Sequence, residues 1–368
     1  MFSNYSKDNN VSQFKISNLD LSIVNSIRRT ILTNIKNVAF YFNVKEKNPE
    51  DSGIHIIEND SPLHNEFLAQ RISMVPINLT SEQITNWNSD DYEFEIKVEN
   101  NTKSFKDVTS KDIIVSYKGK EDSKLREQMF PENKLTKEYI LITKLPPTTQ
   151  TTKLYCKLKA FTGTAEDSAC WATTSLCTFY NDIDENTNKK NMAKFVEQNP
   201  KLKPEQAELR YNTLDYQRAF HKNEYNEPDQ FIFKIEPECI LSTNEIFQQS
   251  LEYLIDKIDA LIDFDDAKIT ISNEKEFYKI ILNDETHTIG NLLQSLLYNI
   301  HIREKKSKDI SFIGYFVPHP LEKRVFMKIV SPLEDIAFKN ELIESFKSIK
   351  TTLKNVLSEW MVFSKDFS

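Results

Sequence analysis

Glycine is scarce in this chain, with five residues in 368. That leaves little material for phosphate-cradling loops, and neither the P-loop nor the dinucleotide-binding glycine pattern occurs. No run of about 18 apolar residues is present, so no membrane-spanning helix is predicted. The stretch Met1–Asn10 is polar and lacks the apolar core of a signal peptide. A protein that stays in the cytoplasm, the nucleus or a particle assembled there is expected. Cysteine is sparse too. The four at 156, 170, 177 and 239 form no C-x-x-C pair, which argues against a disulfide framework or a zinc ribbon and for buried free thiols. Histidines 55, 64, 221, 287, 301 and 319 are scattered without a metal-binding spacing. Neither a metal nor another cofactor is predicted, and no Ser/His/Asp or Cys/His arrangement suggests catalytic residues. The net charge of −8 and pI near 5.5 give a field that repels nucleic acid. Protein partners are expected, with little or no direct DNA contact.

What is present is a weak internal repeat. Near the start a short strand, Phe14-Lys15-Ile16, precedes Asn25-Ser26-Ile27-Arg28-Arg29-Thr30-Ile31-Leu32; near residue 280, Tyr278-Lys279-Ile280 precedes Asn291-Leu292-Leu293-Gln294-Ser295-Leu296-Leu297. In the first copy Val24, Ile27, Ile31, Ile35 and Val38 recur at spacings of three and four, which predicts an amphipathic helix through Val38. In the second, Ile289, Leu292, Leu293, Leu296, Leu297 and Ile300 make a wide apolar face, with Thr286 or Thr288 as a candidate cap. Each copy also ends alike. Phe231 to Ile235 alternates as a strand, and a long helix follows with Phe247, Leu251, Leu254, Ile258 and Leu261 in register. Phe312 to Val317 and Arg324 to Val330 read as a hairpin, followed by a long helix carrying Leu342, Phe346, Ile349, Leu353, Val356 and Trp360. A sustained 3.5-residue spacing presents a narrow seam to a partner helix, although part of each face also packs on its own sheet.

A large insertion, 47–225, separates the halves of the first copy. Tyr92, Phe94, Ile96 and Val98 alternate with Glu93, Glu95, Lys97 and Glu99, the mark of a strand with one wet face. Further strands are predicted at Ile113 to Tyr117, Tyr139 to Leu145 and Leu154 to Ala160. The polar stretch Asn181 to Asn212 reads as a surface loop with some helix.

The segment Asn25 to Leu32 resembles the first dimerisation motif of the third-largest subunit of eukaryotic RNA polymerases and of the bacterial alpha subunit, in its Asn, its Arg pair and its apolar tail. Asn59 to Ile77 is similar to the segment that begins that subunit's inserted domain. Lys159-Ala160-Phe161-Thr162-Gly163 with Ala169-Cys170-Trp171 resembles a further motif of the same family, with Ser168 and Cys170 standing where the family has His and Lys. The second copy, through Asp284 to Leu293, Gly314-Tyr315 and Pro318-His319-Pro320-Leu321-Glu322, resembles the eleventh subunit, the smaller dimerisation partner. The two joined in one chain resemble the arrangement in large cytoplasmic DNA viruses. The cysteine-rich zinc loop usual in the third subunit is absent.

The resemblance implies an α+β fold of two alpha-subunit-like dimerisation domains paired within one chain. The first comprises 1–46 and 226–265, the inserted β-rich domain 47–225, and the second 266–368. It implies an interface built from Asn25, Ile27, Arg28, Arg29 and Ile31 on one side and His287, Ile289, Gly290, Asn291, Leu293 and Leu297 on the other. Gly290 would let a crossing helix approach, or would simply be a turn glycine before the helix. Asn25 and Asn291 would fix helix register, or face solvent. Arg28 and Arg29 point about 100° apart on a helix, and in the family this pair meets the second-largest subunit. Two readings of function are carried. One is a non-catalytic platform that docks the two largest polymerase subunits and small subunits, a monomer by itself, in a viral factory or virion if viral and in the nucleus if cellular. The other is an independent nucleotidyltransferase using acidic residues such as Asp263-Phe264-Asp265-Asp266. That run lacks the Asp-x-Asp-Gly-Asp geometry of a polymerase magnesium motif and reads as a polar linker between the copies.

Overall fold

A computed structural model describes residues 1–43, 53–134, 136–147, 150–264, 267–275, 277–304 and 309–366. The expected boundaries at 46/47 and 265/266, and Asp265 and Asp266 of the acidic run, lie outside the described residues. The chain forms two compact units. One comprises Met1–Ile31, Leu176–Glu236 and Phe247–Ser368; the other comprises Leu32–Ser175 and Pro237–Ile246.

The first unit holds two four-stranded sheets with the same strand order. In the first copy, strands Phe2–Asp8 and Val11–Ser17 form a hairpin whose second strand leads into a short helix, Leu21–Thr33. The strand Gln230–Pro237 pairs antiparallel with Val11–Ser17, Thr174–Asn181 takes the outer position, and a long helix, Thr243–Ile262, follows. In the second copy Ile269–Asn273 and Tyr278–Asn283 form the hairpin, His287–Tyr298 the short helix, Arg324–Val330 the inner strand and Phe312–Phe316 the outer one. The long helix Asp335–Phe363 ends it.

The sequence explains these elements locally. Asn9 sits at the first hairpin turn with φ of 52°, a left-handed conformation that asparagine tolerates. Strand alternation turns Ser12, Phe14 and Ile16 inward on one strand and Phe231, Phe233 and Ile235 on the next. Thr286 caps the second short helix by accepting from the Thr288 amide at 3.4 Å. All five seam residues of the first long helix and all six of the second are buried.

The first short helix stops at Thr33, not Val38. Thr33 donates to the Asn34 side chain at 2.7 Å, and Lys36–Phe40 is instead a strand of the second unit, paired there with Ala160–Thr164. Local side-chain bonding and a nearly all-buried strand outweigh the helical spacing there. Ile300 likewise lies past the second short helix, in a turn of π-helix at Asn299–Arg303. The bounds of the two compact units also differ from a 47–225 cut. Thr174–Asn181 completes the first sheet, with Phe179 packed against Phe231 at 5.6 Å. The polar stretch that follows forms two helices, Glu185–Gln198 and Pro204–Leu214, held together where the Tyr211 hydroxyl reaches Asn188 Oδ1 at 3.1 Å.

The second unit carries a five-stranded sheet in the order Ile54–Asn59, Thr152–Leu158, Tyr92–Asn100, Ile113–Tyr117 and Lys120–Glu121. Phe94, Ile96 and Val98 face inward, as their alternation predicts. Gly163 and Trp171 meet: a Cβ on Gly163 would lie 2.4 Å from the indole, whose Nε1 donates to the Phe161 carbonyl at 2.8 Å. Glycine is required there by close approach.

Candidate functional site: the pairing of the two copies

The two copies meet inside the first unit, short helix to short helix and long helix to long helix. Asp20 is central to the first contact. As the N-terminal cap of the first short helix it accepts from the Ser22 amide at 2.8 Å. The same carboxylate accepts from Ser295 Oγ at 3.1 Å and from Asn299 Nδ2 at 2.9 Å, four residues apart in the second copy. One side chain therefore both starts a helix and fixes its partner. We predict that Asp20→Ala costs about 1–3 kcal/mol, since it removes a cap and leaves two partly buried donors without their acceptor. A double-mutant cycle with Asn299→Ala in urea unfolding would measure the part that crosses between copies; strict additivity would show no coupling.

The predicted interface residues divide. Ile27, Ile31, Ile289, Leu293 and Leu297 are buried. Arg29 crosses to the other copy, Nε donating to Thr288 Oγ1 at 2.7 Å, and Ser26 Oγ reaches the Thr288 carbonyl at 3.4 Å. Arg28 stays on its own helix and donates to Asn25 Oδ1 at 3.1 Å. Asn25 is thus bonded within its helix rather than across the pair. Asn291 lies on the wall of a cleft of about 570 Å³ together with Asp20, Ser295 and Arg303. His287 is exposed, with its Nδ1 3.3 Å from the Tyr315 hydroxyl of its own copy. A Cβ on Gly290 would meet Tyr315 at 2.7 Å and Val325 at 3.0 Å, both on its own sheet. The close approach at Gly290 is therefore helix to sheet within one copy, not helix to crossing helix.

The long helices pair through aromatic rings and charge. Trp360 of the second copy is fully buried against Phe247, Phe14 and Phe2 of the first, at centroid distances of 4.1, 4.9 and 5.2 Å. The amino group of Met1 lies 3.1 Å from Glu359. Lys350 pairs with Asp259, and Lys257 with Glu285 at 2.8 Å. Burial lifts the Glu285 carboxyl above its usual value and Lys257 offsets part of that lift. Burial opposes the charge on Lys257, but Glu285 outweighs it and the ammonium is raised.

At the end of the second short helix Arg303 holds Glu227 of the first copy through both guanidinium nitrogens, one at 2.6 Å. The hydrogen bond from Arg303, opposed by partial burial, holds the Glu227 carboxyl below its ordinary 4.5. A depressed carboxylate contributes stability that is present above its unfolded value and is lost as pH falls through the folded one. The urea midpoint is therefore expected to fall between about pH 5 and pH 3. That fall should be shallower in Glu227→Gln, and identical profiles for the two proteins would show that the pair does not contribute.

Asp20, Glu227, Ser295, Asn299 and Arg303 were not among the residues expected from sequence. Asp20 carried a usable signal, an Asp two residues before Ser22 and the apolar periodic run. Among the described residues no group of three or more His, Cys, Asp or Glu side chains is arranged to hold a metal ion.

A doubled strand–helix unit whose helices pair face to face defines a dimerisation module. Residues 13–258 match the family described as the RNA polymerase Rpb3/Rpb11 dimerisation domain, and residues 278–359 match a second model of that description. The chain belongs to this family and contains its domain twice. The DNA-directed RNA polymerase subunit Rpo3 of Methanobrevibacter smithii is 26% identical over 289 residues, covering 69% of this chain and 94% of that protein. The subunit Rpo11 of Saccharolobus islandicus is 26% identical over 95 residues, 26% of this chain and 95% of that protein. A conjugation stage-specific protein of Tetrahymena thermophila is 31% identical over 111 residues, 27% of this chain and 32% of that protein. The chain is thus an RNA polymerase subunit in which an Rpo3-like and an Rpo11-like part are joined.

Proposed function

We propose that this chain is a non-catalytic assembly platform of a DNA-dependent RNA polymerase, which docks the two largest subunits and small subunits without a second dimerisation partner. The observation that carries the reading is the intramolecular pairing: Asp20 with Ser295 and Asn299, and Trp360 among Phe2, Phe14 and Phe247. These contacts join two halves that in the relatives are separate subunits, Rpo3 and Rpo11. On this reading 1–46 with 226–265 and 266–368 are the two paired domains and 47–225 the inserted segment, of which Thr174–Asn181 returns to the first sheet. The chain acts where the polymerase assembles, a viral factory or virion for a viral source and the nucleus for a cellular one. It is a monomer by itself and makes little direct contact with DNA.

Arg28 and Arg29 are assigned to the second-largest subunit. Arg29 also contributes to pairing through Thr288, so Arg28→Ala is the cleaner variant. The test is affinity purification of the full chain, with large subunits scored by mass. Arg28→Ala should reduce recovery of the second-largest subunit while the thermal midpoint stays unchanged. Unchanged recovery would remove the assigned contact, and nucleotide incorporation by the isolated chain would overturn the platform reading.

A further inference from the structure

The two sheets share a strand order, yet their outward faces differ. On the first sheet the outward positions of Gln230–Pro237 are Gln230, Ile232, Lys234 and Glu236, and Lys15 on the neighbouring strand is bonded to Asp182 at 2.5 Å. That face is mixed, with Ile232 and the half-exposed Tyr180 set among both signs of charge and Lys234 lying over the Tyr180 ring. On the second sheet, Phe312 and Phe316 of the outer strand are 49% and 55% exposed. Phe316 stands opposite Phe326, and Phe326 opposite Ile281, so an apolar stripe crosses three strands. Beside it Lys328 stands opposite Lys279. None of the outward positions on these three strands is Asp or Glu, in a chain with a net charge of −8. The fold does not demand this face, because the other copy builds the same strand order without it. Exposed phenylalanines on an edge strand are also a liability that proteins commonly cover.

We infer that the outward face of the second sheet is a docking surface for a partner-protein segment that carries carboxylates beside apolar side chains. The inference rests on the platform reading and specifies one contact of it. Charge complementarity selects the occupant: Lys279 and Lys328 beside an apolar stripe match Asp or Glu alternating with apolar residues, while Arg324 at the end of the strand already pairs with Glu322 at 3.6 Å. A nucleic acid fits less well. Stacking needs open ring faces, whereas Lys279 lies over Phe326 at 4.8 Å, Lys328 lies over Phe277 at 4.1 Å, and Phe316 meets Phe326 edge to face at 83°. The overall charge also opposes a polyanion more than a short acidic peptide. Among the described residues the outer strand Phe312–Phe316 has no strand beyond it, so an extended segment could also lie along that edge.

The test uses the full chain assembled into its polymerase, with the photo-crosslinker p-benzoylphenylalanine in place of Phe312 and, as a control, in place of Tyr180 on the outer strand of the first sheet. Phe312 should capture a partner polypeptide whose crosslinked segment contains Asp or Glu next to apolar residues, and Tyr180 should not. Lys279→Glu with Lys328→Glu should lower that yield at least tenfold, and Lys279→Arg with Lys328→Arg should retain it. Capture of nucleic acid, of a second copy of this chain or of a segment without carboxylates, or no capture, would overturn the inference. Large subunits are scored in the same samples. Their presence without capture at Phe312 sinks only the docking face, whereas their absence sinks the platform reading and the docking face with it.

Discussion

Trp360→Ala is expected to destabilise the protein by about 3–5 kcal/mol, the range for truncating a large buried aromatic. The indole is fully buried, and its neighbours Phe247, Phe14 and Phe2 belong to the other copy and have no way to collapse far into the space left behind. Two terms add: the lost burial of the indole, and the ring–ring contacts, each worth about 0.5–1.5 kcal/mol beyond area. Urea unfolding followed by circular dichroism would measure the loss. Trp360→Phe should restore most of it. A midpoint shift in Trp360→Ala no larger than that of an exposed substitution such as Met361→Ala would show that the seam between the long helices does not hold the copies together.

The second large effect is expected at Leu293. Its side chain is fully buried in the second short helix, between Leu292 and Leu296, which are also buried. Aspartate there would place a carboxylate among aliphatic groups without a charge partner, at a cost of about 4–5 kcal/mol, among the largest single-substitution effects. Leu293→Asp should fail to accumulate as folded protein and should not enter the polymerase. Leu293→Met, which conserves volume, should cost under about 1.5 kcal/mol and assemble normally. If the aspartate variant folds and assembles like the parent, the apolar face of this helix is not part of the pairing.

These two residues were legible because helical periodicity reports burial directly. The seams of both long helices and the stripe Ile289 to Ile300 rest on spacing alone, and every member is buried except Ile300, which is half-buried beyond the end of the helix. Two parts of the fold were not legible. Phe2–Asp8 is a strand although its composition is polar; only Phe2 and Tyr5 are half-buried, three residues apart, and a register shift between Ser3 and Ser6 breaks the alternation that would mark a strand. Thr174–Asn181 belongs to the first sheet although it follows the inserted unit in sequence; nothing in eight residues states which sheet will take them. Periodicity was also misleading at Ile35 and Val38, where helical spacing coincides with a buried strand. In the candidate site, apolar members were readable and polar ones were not. Asp20 with Ser295 is a pair 275 residues apart, and its existence depends on a register that spacing within either helix cannot supply. Gly290 and His287 lie against Tyr315 on the Phe312–Phe316 strand of their own copy, a contact that spacing within the helix does not state.

The first long helix ends at Ile262 and the next hairpin begins at Ile269, so the join between the copies is a six-residue stretch, 263–268. Such a stretch spans at most about 20 Å. Two consequences follow for how the polymerase is supplied with this part. The halves are synthesised in a fixed ratio of one to one, so no orphan half accumulates with its Leu and Phe seam open to aggregation. Their association also has no concentration term, so dilution cannot separate them. A sparsely transcribed gene would still deliver complete pairs, where two separate subunits at the same low level would spend part of their time apart.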